Sequence, residues 1–332
     1  MPTRAVAPQT LAAFGAANSS RIADSNEDDH DLETKEIIIL HEMTFLRDIL
    51  SNTFKYCHST IHFLNLKSYS METNIVKAKG CHFVMVHGAT FGGWCWYQVA
   101  DLLLKAGHTV SSIDMASGGI DPTNADTISS LQEYNQPLTD FFTALPSEGK
   151  VILVGHSAGG FNLSFTMERF PDKIAAAVFV TAFMPLSGTT LSELMNEIVS
   201  IIGGFGDSTF YYANGKENPA TSFKFGTQFA REFLSQNSPS WDLTLWESLE
   251  KKSPIWQEPL LYTAKNYGSV RRIFVVSKED KVIVEAFQRK MIAGNPPQMV
   301  YEIEGSDHTV FFSKPLQLAE VLMKIANTSV SK

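Results

Sequence analysis

The ten residues "LVGHSAGGFN" (153–162) carry the strongest fold signal in this sequence. Ser157 stands in the pattern G-x-S-x-G, after the apolar run "KVILVGH" (150–156) and before a helical pattern over 158–170. A strand, a sharp turn and a helix in this order are typical of a nucleophile elbow, where the helix N-terminus lies near the serine oxygen. The alternative is a tight structural turn that merely contains a serine, and the rest of the chain must distinguish the two.

Apolar runs and helical stripes alternate along the chain from residue 82 onward. The predicted strands cover 82–88, 108–115, 150–156, 174–184, 269–277 and 298–305. The predicted helices cover 96–107, 131–145, 158–170 and 283–293, with a last one near the C-terminus. Repeated strand–helix units predict an α/β fold, with a mostly parallel central sheet and helices on both faces.

The alternation stops between about residues 187 and 266. This stretch contains three tryptophans (Trp241, Trp246 and Trp256) and the glycine-rich segment "GGFG" (203–206). An insertion after a central strand lies over the C-terminal edge of the sheet, where α/β proteins bind ligands. We interpret the segment as an inserted cap. The alternative is a structural subdomain whose tryptophans belong only to its core.

The first part of the chain differs from the rest in composition. Residues 1–23 contain two arginines and no acid, and residues 24–36 then carry a net charge of −6. No secretory signal pattern is present. We therefore expect residues 1–79 to be a disordered N-terminal extension and residues 80–330 to be the folded domain. An organelle transit peptide is the alternative interpretation, and it makes the chloroplast the alternative to a cytoplasmic location.

Composition excludes several classes of function. The formal net charge is −8 over 332 residues, so there is no basic footprint for nucleic acid or an anionic membrane. The three cysteines form neither a disulfide framework nor a zinc motif, and no P-loop, H-E-x-x-H or dinucleotide fingerprint occurs. The longest apolar run, 174–184, is too short to span a bilayer. No cofactor or metal is predicted.

A serine nucleophile needs a base and an acid, which follow it in the chain order Ser, acid, His in this type of fold. His308 is the one histidine downstream of Ser157, on a loop at the end of a predicted strand. Asp280 and Glu279 both follow the strand 269–277, so either could orient the imidazole ring. Asp307 is too close in sequence to turn onto its neighbour's ring. The residues alone do not decide whether Asp280 or Glu279 orients the His308 ring.

A tetrahedral intermediate needs two backbone N–H donors for its oxyanion. One is expected from Ala158, the residue after the nucleophile. The other should come from the loop after the first strand, where "VHGAT" (86–90) places Ala89, and Gly88 beside it allows a close approach of the backbone.

These motifs resemble the α/β-hydrolase superfamily and, more narrowly, its plant methylesterase and hydroxynitrile lyase branch. The matching stretches are "HFVMVHGATFGGWCWYQVADLLLKAGHTVSSIDMASGGID", "KVILVGHSAGGFNLSFTMERFPDKIAAAVFVTAFMP", "YGSVRRIFVVSKEDKVI" and "SDHTVFF". Together they cover about residues 82–327, with the cap the weakest part. The resemblance favours Asp280 over Glu279 and implies the triad Ser157, Asp280 and His308.

The resemblance also separates two reactions. Hydroxynitrile lyases of this branch replace the loop glycine with Thr or Asn, and one group has a lysine after the histidine; this chain has Gly88 and Thr309. It therefore implies an esterase for methyl esters of small plant hormones: methyl indole-3-acetate, methyl jasmonate or methyl salicylate. The stretches "SAGGFNLS", "EYNQPL" and "SDHTVFFSKP" look most like esterases of methyl indole-3-acetate. The expected partner is this small molecule.

Two alternative functions and the oligomeric state stay open at this point. A hydroxynitrile lyase would use the same triad, and a hormone receptor built on a hydrolase fold would keep the fold without fast turnover. The oligomeric state is also open, with a homodimer as one option.

Overall fold

The structure is a computed structural model that describes residues 80–329. The predicted N-terminal extension, residues 1–79, lies outside the described residues, and so does residue 330 at the end of the predicted domain.

The described chain is built on a six-stranded parallel sheet and a separate three-stranded antiparallel sheet. The large sheet has the strand order β2-β1-β3-β4-β8-β9, and the small one β5-β6-β7. The strands are β1 His82–Val86, β2 Thr109–Ile113, β3 Val151–His156, β4 Ile174–Val180, β5 Thr209–Tyr211, β6 Ser222–Lys224, β7 Ser253–Pro254, β8 Arg272–Ser277 and β9 Met299–Ile303. The parallel sheet predicted from the alternating pattern is confirmed.

Helices connect the parallel strands. They are α1 Tyr97–Lys105, α2 Leu131–Tyr134, α3 Gln136–Ala144, α4 Gly159–Arg169, α5 Leu191–Ile202, α6 Thr227–Phe229, α7 Ser240–Leu249, α8 Glu285–Gly294, α9 Val310–Ser313 and α10 Pro315–Ser329. The prediction of one helix over 131–145 is wrong in one respect, because the helix is divided at Asn135. Pro137 stands in the first turn of α3, where its missing N–H and fixed φ suit a helix start rather than a helix interior.

Strand register brings three loops together at one edge of the sheet. β3 lies between β1 and β4, with Val86 opposite Gly155 and His156 opposite Val180. Because all three strands are parallel, the segments that follow them meet at the carboxyl edge. Ser157 follows β3 there, with the loop that carries Ala89 on one side and Thr181 on the other.

The segment between β4 and β8 contains the predicted insertion. It holds α5, the small antiparallel sheet, α6 with the π-helical segment Ala230–Leu234, and α7. Trp246 and Trp256 are buried, which fits core positions, whereas the side chain of Trp241 is 69% exposed. A capping box between Thr190 and Glu193 begins α5, because each side chain bonds the other residue's backbone N–H. No helix within residues 80–329 is both long and apolar enough to cross a membrane.

Candidate active site

The turn between β3 and α4 has the geometry of a nucleophile elbow. Ser157 has φ +52°, a left-handed backbone conformation that residues other than glycine rarely adopt. A Cβ at Gly159 would lie 2.8 Å from the backbone oxygen of His87, and one at Gly155 would overlap with Leu163. The G-x-S-x-G spacing is therefore required by packing, since only glycine leaves room for such a sharp turn.

The structure brings Ser157, His308 and Asp280 into one hydrogen-bonded row. The Ser157 Oγ lies 3.0 Å from His308 Nε2, and His308 Nδ1 lies 2.7 Å from Asp280 Oδ2. The imidazole is buried, so water does not compete for these bonds. A proton on Nδ1 directed at the carboxylate leaves Nε2 free to accept the serine hydroxyl proton.

Glu279, the alternative acid, lies elsewhere. Its carboxylate accepts a hydrogen bond from the Asn237 side-chain amide at 2.7 Å, and its backbone N–H donates to the Ser306 oxygen at 2.9 Å. The geometry thus agrees with the choice of Asp280 that the resemblance favoured.

The Asp280 carboxylate is held by donors on both of its oxygens. Oδ1 accepts the backbone N–H groups of Val282 and Ile283 at 2.7 and 2.8 Å. Oδ2 accepts the Thr181 hydroxyl at 2.5 Å in addition to the His308 ring. Asp280 and Thr181 are both buried, and hydrogen bonds to a buried charge offset much of its desolvation cost.

Ala89 and Ala158 flank Ser157 and line the same pocket. Within the part of the chain that the structure describes, neither of their backbone N–H groups has a hydrogen-bond acceptor. Two free N–H groups beside a serine oxygen can receive a developing oxyanion. Gly88 is confined, because a Cβ there would lie 2.8 Å from the Ser157 Cβ and 2.7 Å from the Nδ1 of His156.

Two further histidines next to the site are neutral structural groups. His156 donates from Nε2 to the backbone oxygen of His308 at 2.8 Å, and His87 bonds the Gly88 oxygen through Nδ1 and accepts the Met115 N–H through Nε2. Burial lowers the pKa of both rings, and for His156 the nearby His308 lowers it further. These contacts give both rings a structural role beside the site.

A largely apolar pocket opens from Ser157 into the inserted segment. Its lining combines the sheet edge with side chains of α5 and of the antiparallel sheet. The residues of the insertion that line it are Leu191, Met195, Ile198, Phe205, Phe223, Phe225, Ser253, Pro254 and Trp256. Side chains of the insertion therefore form much of the wall of this pocket.

Two features of this site were missed at the sequence level. Thr181 was assigned to the apolar strand 174–184, although a polar residue in that run marks the strand end. The sequence places Trp256 in the predicted cap without assigning it a position in the pocket. Its burial and its place in the pocket depend on the tertiary fold, for which the cap sequence has no periodic signal.

Comparisons with known proteins agree with this geometry. The model of the alpha/beta hydrolase family matches residues 83–321. Methyl jasmonate esterase 1 of Vitis vinifera is 42% identical over 253 residues, which cover 74% of this chain and 97% of that protein. The chain belongs to the plant methylesterase group of the alpha/beta hydrolase family. It is accordingly a carboxylic ester hydrolase, as the elbow and the resemblance predicted.

Two other proteins are similar to this chain, one in sequence and one in solved structure. An Arabidopsis thaliana protein named as methylesterase 11, chloroplastic, is 40% identical over 276 residues, 80% of this chain and 68% of that protein. The crystal structure of tomato methylketone synthase I superposes with a TM-score of 0.71 at 38% identity, and covers 75% of this chain and 99% of that one. This methylesterase therefore shares its fold with proteins named for different reactions, and its own reaction must be argued from its site.

Proposed function

We propose that this methylesterase hydrolyses methyl esters of small plant-hormone acids by a serine acyl-enzyme mechanism. The observation that supports this most is the row Ser157–His308–Asp280, with hydrogen bonds of 3.0 and 2.7 Å, at the mouth of an apolar pocket. The candidate substrates are methyl indole-3-acetate, methyl jasmonate and methyl salicylate. A relative at 42% identity is named as a methyl jasmonate esterase.

In the first half-reaction Ser157 Oγ attacks the ester carbonyl carbon while His308 Nε2 takes the hydroxyl proton. The carbonyl oxygen becomes an oxyanion, which accepts hydrogen bonds from the N–H groups of Ala89 and Ala158. Asp280 stabilises the imidazolium. When the tetrahedral intermediate collapses, the bond to the methoxy group breaks, and His308 gives its proton to the departing methanol.

In the second half-reaction His308 accepts a proton from a water molecule, whose oxygen attacks the acyl carbon of the ester to Ser157. Collapse of this intermediate breaks the bond to Ser157 Oγ, and the proton on His308 returns to the serine. The products are the free acid and methanol, and the protein is unchanged.

The test is a hydrolysis assay of the three methyl esters on wild type and on the Ser157→Ala variant. We expect wild type to release methanol and acid, and the variant to lose at least about a thousandfold in kcat/KM with unchanged unfolding behaviour. Near-wild-type hydrolysis by the variant would overturn the proposal.

The hydroxynitrile lyase alternative is not favoured. The side chain after His308 is Thr309, which carries no charge for cyanide, and the Gly88 site has no room for a Cβ without movement of its neighbours. Release of cyanide from a cyanohydrin, without hydrolysis of methyl esters, would establish the lyase instead.

We propose the cytoplasm as the location of this protein, with the chloroplast as the alternative because a relative is named chloroplastic. Mass spectrometry of the mature N-terminus tests this choice. Light scattering of the purified chain tests the homodimer.

A further inference from the structure

A buried glutamine bonds both ends of the segment that carries the triad acid. The side chain of Gln288, on α8, has no exposure to solvent. Its Nε2 donates to the backbone oxygens of Ser277 and Ile283 at 2.9 and 2.7 Å, and its Oε1 accepts the Ser277 N–H at 3.0 Å. Both amide hydrogens therefore have acceptors, and these acceptors stand before and after Asp280 in the chain.

The Ser277 end of this segment is bonded to the loop of the triad base. The Ser277 hydroxyl donates at 2.5 Å to the backbone oxygen of Asp307, which belongs to the peptide bond that leads to His308. The same hydroxyl lies 2.7 Å from the Ser306 Oγ. A backbone bond from the Glu279 N–H to the Ser306 oxygen, at 2.9 Å, joins the two segments again. The position of His308 thus depends on the end of β8.

The Ile283 end is bonded to the triad acid itself. Its N–H donates to Asp280 Oδ1 at 2.8 Å, beside that of Val282 at 2.7 Å. Gln288 therefore holds a donor of the acid through Ile283 and the loop of the base through Ser277. The acid–base hydrogen bond of 2.7 Å joins these two parts of the chain, and a misplacement of about 1 Å can cost about 100-fold in rate.

We propose that Gln288 is a positioning residue that sets the distance between the Asp280 carboxylate and the His308 imidazole. Its amide donates twice and accepts once at three main-chain groups, which neither a carboxylate nor a thioether can do. Gln288 does not line the pocket of Ser157, so it acts through the acid and the base. The inference rests on the acyl-enzyme mechanism of the proposed function.

Gln288→Met tests the proposal, because it removes the three hydrogen bonds and keeps the length of the side chain. With p-nitrophenyl acetate as the substrate, we expect kcat to fall about 10- to 100-fold with little change in KM. The matched control is Gln298→Met. The Gln298 Oε1 accepts the Arg272 N–H at 2.6 Å, at the other end of the same strand, and its loss should leave kcat unchanged.

The Nδ1 proton of His308 gives a second readout, which does not depend on turnover. A hydrogen bond to a carboxylate is strong and shifts this proton far downfield in the proton NMR spectrum, and a longer bond shifts it less. We expect the signal to move upfield in Gln288→Met and to stay in place in Gln298→Met. If wild type hydrolyses no ester but the signal moves in this way, the proposed function fails while the role of Gln288 stands.

Ser277→Ala keeps the proposal testable if Gln288→Met does not fold. It removes the hydroxyl that bonds the Asp307 oxygen and leaves the backbone bonds to Gln288 in place. We expect kcat to fall about 3- to 10-fold, with an upfield shift of the same proton. A Ser277→Ala protein with wild-type kcat and an unmoved signal would contradict the connection to the base.

Two results with folded Gln288→Met would overturn the proposal. The first is a kcat and a proton signal equal to those of Gln298→Met, with a loss of stability alone, which would make the role of Gln288 purely structural. The second is a rise in KM at unchanged kcat. Because the Ile283 side chain lines the pocket, that result would mean that Gln288 acts on substrate binding instead of on the triad.

Discussion

Asp280 Oδ2 accepts two hydrogen bonds, one from the His308 ring and one from the Thr181 hydroxyl. Thr181 has φ +38°, a conformation that costs a β-branched residue about 1–3 kcal/mol. At this strained end of β4, the Thr181 hydroxyl donates to the Asp280 carboxylate at 2.5 Å. Thr181 is therefore a positioning residue that acts through the acid.

Replacing Thr181 by Val removes the hydroxyl and keeps the shape of the side chain. Without this donor, the Asp280 carboxylate is held less firmly against the His308 ring. We expect kcat/KM to fall about 3- to 30-fold, through kcat rather than KM, because Thr181 does not line the pocket. Thr181→Ser keeps the donor and should resemble wild type. A loss of stability with an unchanged kcat in Thr181→Val would assign Thr181 a purely structural role.

Gly88 gives a second test at the level of single residues. Because an added Cβ would lie 2.7–2.8 Å from His156 and Ser157, Gly88→Ala must displace either the elbow or the loop of Ala89. We expect kcat/KM to fall about 100-fold, the size of effect seen when one oxyanion donor is lost. Gly149→Ala is the matched control, since its Cβ would lie 3.6 Å from the Pro146 oxygen, an ordinary contact. Equal activity of the two variants would contradict the assignment of this loop.

At the level of elements, a polar cluster joins the loop between β9 and α9 to the cap. It consists of the buried residues Asp307, Thr309 and Ser235 and the half-buried Ser238. Thr309 Oγ1 lies 3.0 Å from the hydroxyls of Ser235 and Ser238, and the Thr309 N–H donates to the Leu234 oxygen at 3.1 Å. Burial raises the pKa of the Asp307 carboxyl. His308 lies between two members of this cluster, so the cap helps to fix the loop that carries it.

Thr309→Val tests this junction. The change removes a buried hydroxyl and leaves its partners unpaired, so we expect the free energy of unfolding to fall by about 1–3 kcal/mol. Thr309→Ser keeps the hydroxyl and should lose less. Urea unfolding measures both, and a Thr309→Val protein as stable as Thr309→Ser would show that the cluster contributes no stability.

The sequence predicted the elements of the sheet well because their signals are local. Continuous apolar runs and helical stripes depend only on neighbouring residues. The elbow and the loops after two strands indicate Ser157, His308 and an acid at position 279 or 280, of which the family resemblance favoured Asp280. The secondary structure inside the predicted cap was not predicted. Its strands have two or three residues, too few for a period of two to be detected, and their pairing depends on contacts far apart in sequence. The contact of Thr181 with Asp280 was missed because it joins residues 99 positions apart in the chain.

At the scale of the whole molecule, neutral histidines are part of the core. The two nitrogens of His87 are matched to a carbonyl oxygen and to an N–H group, which suits only the neutral ring. Its pKa in the folded state is lowered by burial, whereas in the unfolded chain it is about 6.5. Below pH 6.5 the unfolded state binds more protons, so stability is fully present above that pH and is lost as the pH falls.

We therefore expect the free energy of unfolding to decrease between pH 7 and pH 5.5, with each buried histidine contributing at most about 1.4 kcal/mol per pH unit. The measurement is urea unfolding of wild type and His87→Gln at pH 5.5, 6.5 and 7.5. His87→Gln should be less stable at pH 7.5 but show a shallower decrease, because Gln does not titrate. His82→Gln serves as the control, since the His82 ring is only partly buried and a smaller change in slope follows. Parallel pH profiles of wild type and His87→Gln would mean that His87 is protonated equally in the folded and unfolded states, and would contradict its role as a neutral core group.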